Sequence, residues 1–320
     1  MIWSFATQQP AQTLLSVFLI FCPFLGSAFH PASRLSLVPS LRRHHHGARL
    51  TMTVRLPSAA VQEDVALSGG AVSAPESNPL EDLKIELLES AAASGRGQFA
   101  LEGASRATFD SILADLEALN PTPAPATSPL LKGTWRLVYA SEDVTRSSPF
   151  FWAFRKALEG IRDPLRTFGS DQLAESLFGL TDRLPFKSIG ESRQRIEGSP
   201  MPNQRFRPER LTNQVRVGVF GLGESKMTTE CSVAPQEGPE ARDDVLNVTI
   251  EKTKVLDSTI SRLLPFLDGD SAYESKSSLE NIKQGSSVVE KRISFLDEDL
   301  RIVRNDRDGH VFAYWRVYES

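Results

Sequence analysis

Two rhythms of apolar residues divide the chain. Between Pro79 and Leu119 they recur every three to four positions, whereas from Gly133 onward they recur every second position. Leu80, Leu83, Ile85, Leu87 and Leu88 predict a helix over 79–94, with Asn78 as N-cap, Pro79 in the first turn and Gly95-Arg96-Gly97 as its stop. Phe109, Ile112, Leu113, Leu116 and Leu119 form one stripe of a second helix over 105–119, which Asn120-Pro121 ends. The proline-rich stretch that follows predicts an extended, polyproline-like spacer.

The first alternating run, 133–139, places Trp135, Leu137 and Tyr139 on one strand face. Further runs over 192–197, 212–220, 226–233, 245–255, 288–295, 299–304 and 311–318 bring the total to about eight strands. Val215, Val217 and Val219 alternate in one, and Leu246, Val248 and Ile250 in another. Gly221–Glu224 and Asn305–Gly309 supply turn chemistry between strands. The fold class this predicts is mainly β with N-terminal helices, the strands closed as an antiparallel up-and-down barrel that leaves no exposed edge and encloses one small ligand. A helical insertion over 149–187 follows the first strand and carries Phe150, Phe151, Trp152, Phe154, Phe168, Phe178 and Phe186. These aromatics read either as the core of a lid at the barrel mouth or as a face for a membrane or lipid droplet.

Charge separates a leader from the body. Residues 1–62 hold five arginines and no acid, so a formal total of -4 leaves -9 on residues 63–320. An acidic body argues against nucleic acid as partner. Leu14–Leu25 is an apolar run of signal-peptide length, followed by Gly26-Ser27-Ala28, although no basic residue precedes it. The Ser- and Arg-rich segment that starts at Phe29 has transit-peptide composition. Together they predict a two-part presequence for a plastid inside extra membranes; a secreted protein with a basic tail is the alternative. A Gly/Ser/Ala/Pro linker covers 68–78.

Without the leader, His310 and Cys231 are the one histidine and the one cysteine of the body. That inventory leaves no Cys/His zinc site and no internal disulfide. A nucleophile elbow, a P-loop and a dinucleotide fingerprint are missing too. Asp297-Glu298-Asp299, with Asp306 and Asp308, admits a paired-carboxylate or calcium reading, but Asp and Asn at these positions fit turns, with Asp299 paired to Arg301 or Arg292. No catalytic residue, metal or cofactor is assigned.

Leu119–Pro123 followed by Leu130–Tyr139, an Asn-Pro-Thr-Pro spacer and a Gly-x-Trp strand, resembles the start of the domain of plastid-lipid-associated (fibrillin) proteins. Phe295-Leu-Asp-Glu-Asp-Leu-Arg-Ile302 is similar to that family's closing motif. The resemblance implies a lipocalin-like barrel, plastid residence, association with lipid globules or thylakoid membranes, and binding of apolar lipids. It implies no catalytic residues. Gly133-x-Trp135 is also the first-strand signature of lipocalins, in which the Trp closes one barrel end beneath an arginine, here Arg301 or Arg316.

The expected organisation is a signal peptide over 1–28, a plastid transit peptide over 29–62, a disordered linker over 63–78 and one domain over 79–320, with helices over 79–120 and the barrel over 133–320. The expected function is non-catalytic binding of a quinone, carotenoid or acyl lipid in the barrel or at plastoglobule and thylakoid surfaces. Trp135, Tyr139, Phe150, Phe151, Trp152, Val217 and Val248 are the candidate ligand contacts; Gly133, Trp135, Asp297, Asp299 and Arg301 are the structural motif. The alternatives are a coat protein of lipid globules with a filled barrel and, behind it, an isoprenoid-modifying enzyme.

Overall fold

The computed structural model describes residues 78–99, 103–163, 172–182, 187–219, 223–256 and 274–318. The leader, most of the linker and the Gly221-Leu222 turn lie outside them. Asn78 Oδ1 accepts the Leu80 N–H at 3.2 Å and opens α1 (Pro79–Ala93), with Pro79, Glu81 and Asp82 in its first turn. Gly95, Arg96 and Gly97, all with positive φ, reverse the chain after it. In α2 (Gly103–Ala118) the stripe of Phe109, Ile112, Leu113 and Leu116 is buried, while Leu119 beyond its end is 48% exposed.

The spacer departs from the expected extended form. Prolines at the first positions of two short 3-10 turns, Pro125–Thr127 and Pro129–Leu131, fold it against the barrel. Asn120 Oδ1 accepts from Leu296 N at 3.1 Å, and Thr122 Oγ1 donates to Leu296 O at 2.6 Å.

Eight antiparallel strands then close a barrel in sequence order: β1 (Gly133–Ala140), β2 (Lys187–Pro200), β3 (Phe206–Val219), β4 (Gly223–Pro235), β5 (Val245–Leu256), β6 (Val288–Leu296), β7 (Leu300–Arg304) and β8 (Val311–Val317). β8 returns to β1, with Thr134 opposite Val317 and Arg136 opposite Trp315. The insertion holds α3 (Pro149–Ala157) and α4 (Leu173–Asp182). A fifth helix, α5 (Ser275–Ile282), was not anticipated from the sequence. Its one buried apolar residue, Leu279, is too little for a stripe.

The strands separate two apolar cores. The inner one takes Trp135, Leu137, Leu211, Val215, Met227, Cys231, Leu246, Val248, Ile250, Ile293, Phe312 and Tyr314. The outer one joins Leu87, Phe109, Ile112, Leu113 and Leu116 of α1 and α2 to Phe295, Leu300, Ile302, Val311 and Ala313. Tyr139 belongs to the outer core and lies 4.2 Å from the Phe109 ring, centroid to centroid. This corrects its expected place beside Trp135 and Leu137. The β1–β8 register shifts between Leu137 and Tyr139, so Val138 is a bulge, and one extra residue turns the next side chain to the opposite face.

Candidate functional site: the barrel lumen

Trp135 closes one end of the barrel. It is fully buried, and its indole N–H donates to Leu131 O at 3.0 Å. Both arginines read as rivals for its cover lie near it, Arg316 at 4.2 Å from the ring centroid and Arg301 at 5.0 Å. Arg316 also donates to the carbonyls of Leu130, Lys132 and Glu298, binding β8 to the strand entrances. Gly133 makes room for it: its φ is +133°, and a Cβ there would stand 2.7 Å from Arg316 Nη1.

The opposite end is filled by the insertion. Ser147 and Ser148 reach three walls of the barrel, through Ser192 Oγ on β2 at 2.8 Å, Thr229 Oγ1 on β4 at 3.1 Å and Lys291 Nζ on β6, which lies 3.5 Å from Ser147 O. A segment touching strands that far apart around the ring lies inside it. Phe150, Phe151, Trp152, Ala153 and Phe154 of α3 are all buried with the inner core. Trp152 donates to Arg146 O at 2.7 Å and lies 5.5 Å from the Phe312 ring. α4 backs this plug: Phe178 packs at about 6 Å from Phe151 and Phe154, and Arg146 sits 4.1 Å over the Phe178 ring while bonding Asp182 at 2.6 Å. Val248 is buried in the inner wall; Val217 is half-buried and packs against the same core.

Between the Trp135 end and the plug lies a polar layer that strand alternation did not reveal. Gln194 Nε2, with two hydrogens to donate, lies within hydrogen-bond distance of three oxygens, Ser147 O (3.1 Å), Asn213 Oδ1 (3.0 Å) and Tyr314 Oη (2.9 Å), while its Oε1 accepts from Arg301 Nη2 at 2.7 Å. Lys291 lies 4.3 Å over the Trp152 ring. Burial pushes the Lys291 ammonium down to about 7, with Arg301 adding repulsion, and pulls the Arg301 guanidinium to about 10. The same burial pushes the Cys231 thiol up to about 12 and the Tyr314 phenol above its usual range. The signal in the sequence was parity: Lys291 falls on the same strand face as Val289 and Ile293, and Arg301 on that of Val303.

Residues 81–162 match the PAP_fibrillin family model. That span runs from α1 through α3 and supports membership of the plastid-lipid-associated family, the resemblance read from the Asn-Pro-Thr-Pro spacer and the Gly-x-Trp strand. The similar closing motif, Phe295–Ile302, lies outside the matched residues. No curated protein and no solved structure matches the chain significantly.

The similar closing motif acts as a clasp. Asp297 Oδ1 accepts the N–H groups of Asp299 and Leu300 at 2.8 and 2.6 Å, which is turn chemistry. The ion pairs differ from those expected. Lys84 of α1 binds Asp297 at 3.1 Å and Asp299 at 3.2 Å, Arg292 binds Asp306, and Arg301 points into the lumen, because the helix hairpin covers this turn from outside. Outside the lumen, Ser141 Oγ lies 3.2 Å from His310 Nδ1, and His310 Nε2 lies 3.5 Å from Glu142. Ser141 Oγ already accepts the Val311 N–H at 2.9 Å, and Glu142 pairs with Arg155 at 3.0 Å, so the trio ties the end of β1 to β8. Among the described residues no three His, Cys, Asp or Glu side chains group as a metal site, and no helix is long and apolar enough to cross a membrane.

Proposed function

We propose that this chain is a non-catalytic lipid-associated protein of the plastid, delivered by its two-part leader, whose barrel holds an apolar lipid such as a quinone, carotenoid or acyl chain. The observation that carries the reading is the lumen itself. It is walled by inward rows such as Leu246, Val248 and Ile250, and its filling is a short aromatic helix instead of a seamless strand core. An apolar tail can take the place of Phe150, Trp152 and Phe154 and recover their burial at about 25 cal/mol per Å² of apolar surface. A groove of about 280 Å³ opens beside the plug, lined by Trp152, Val245 and Val289 and also by the charged Lys156, Arg292 and Asp306. The family match over 81–162 supports lipid association in the plastid.

The same plug favours a second reading, in which the barrel stays filled and the protein coats lipid globules through its exterior. Stoichiometry separates the two. The full chain titrated with a soluble plastoquinone analogue saturates near one ligand per chain if the lumen binds. Adsorption in proportion to droplet area, without saturable binding of the soluble analogue, selects the coat.

A further inference from the structure

The polar layer of the lumen is unbalanced. It contains the Lys291 ammonium, the Arg301 guanidinium, the amides of Gln194 and Asn213 and the Tyr314 hydroxyl, all at most 3% exposed. Among the described residues, no carboxylate bonds to Lys291 or Arg301. The acceptors facing these donors are few: Gln194 Oε1, Asn213 Oδ1, Tyr314 Oη and the carbonyl of Ser147. Among the described residues, Arg301 Nε and Asn213 Nδ2 have no hydrogen-bond partner. Lys291 reaches Ser147 O only at 3.5 Å, beyond good hydrogen-bond length.

Buried donors without acceptors are costly, and two buried cations without an anion more so. A stability-driven core would place apolar side chains here. The excess is all of one kind, N–H donors and positive charge; Gln194 Oε1 accepts from Arg301, the rings of Trp152 and Tyr314 face the two cations, and among the described residues no anion answers them.

We infer that Lys291 and Arg301 form the headgroup site of the lumen, and that its ligand is a long-chain carboxylic acid bound as the carboxylate. This rests on the reading of the lumen as a lipid-binding element and adds the class of lipid. A carboxylate oxygen suits the place where the Ser147 carbonyl oxygen sits beside Lys291 and Gln194, and Arg301 Nε and Asn213 Nδ2 are the donors of the same layer left for its second oxygen. The acyl tail runs along the apolar rows that α3 now covers. A carotene or other hydrocarbon has no group to offer this layer, and a quinone carbonyl or a xanthophyll hydroxyl offers an acceptor without the charge.

The test compares ligands that differ only at the head. Hexadecanoic acid, its methyl ester and hexadecanol are titrated by equilibrium dialysis against the full chain. The acid is expected to bind one per chain and at least about 10-fold more tightly than the ester or the alcohol, the scale of a charged hydrogen bond. Lys291→Met and Arg301→Met, with folding verified by circular dichroism, are expected to bring the acid to the affinity of the ester and to leave the ester unchanged. Equal binding of acid and ester by the unmutated chain overturns the headgroup site and leaves the lumen reading intact. Absence of saturable binding by all three overturns both.

Discussion

Lys291 is a residue whose removal is expected to stabilise the protein. In the unfolded chain a lysine titrates near 10.5, whereas burial holds Lys291 near 7. A lowered native value means that the unfolded chain binds the proton more tightly. The resulting penalty is therefore fully present below pH 7 and shrinks as pH rises from 7 toward 10.5. The gap between the two values makes the full penalty on the order of 5 kcal/mol. Between pH 7 and 9 it should fall by about 2 kcal/mol. The charged and titratable groups facing Lys291 are Arg301 and Cys231. Cys231, held near 12 against an ordinary thiol value of 9.0, begins to oppose the trend from about pH 8 and takes back only about 0.4 kcal/mol by pH 9, the upper limit of the experiment. Met fills nearly the same volume without the charge, so Lys291→Met should raise the urea midpoint at pH 7, and its lead over the natural protein should narrow by about 2 kcal/mol at pH 9. Parallel stability profiles between pH 7 and 9, or a variant less stable at pH 7, would refute a desolvated lysine in the lumen.

Trp135→Ala empties the fully buried indole and should cost about 3 to 5 kcal/mol in denaturant unfolding; a loss under about 1 kcal/mol would mean that the barrel end is not packed around it. Gly133→Ala forces a Cβ onto Arg316 Nη1 at a φ of +133° and should cost about 1 to 3 kcal/mol, most of it recovered when Arg316 is also shortened to Ala if the clash dominates and little if backbone strain does. For the leader, a fluorescent fusion of residues 1–62 should reach the plastid, and Phe29→Asp should hold it outside the stroma; secretion of both forms would remove the two-part reading.

Much of the architecture is local and could be read from order alone. Period-two runs such as Val215/Val217 mark strands because successive side chains alternate across a pleat. Asn78-Pro79 opens a helix because it satisfies free N–H groups and presets φ, and Gly133-x-Trp135 marks a barrel end because only glycine leaves room for Arg316. The extent of the ladders was less legible. β2 was expected over 192–197 and spans Lys187–Pro200, since pairing to β3 extends it through residues whose own pattern is polar. The residues proposed to matter most were hidden for the same kind of reason. Gln194, Asn213, Lys291 and Arg301 are polar, and a polar residue in an alternating strand is ordinarily an outward one. Strand periodicity assigns residues to two faces but does not say which face is closed away from water, and a single bulge at Val138 reverses the assignment for Tyr139. The chain's own pattern thus determined that there are helices, about eight strands and a Trp-capped end. Which polar groups are sealed inside, and that α3 shares the lumen with them, was decided only by closure of β8 onto β1, because burial depends on contacts between residues distant in the chain.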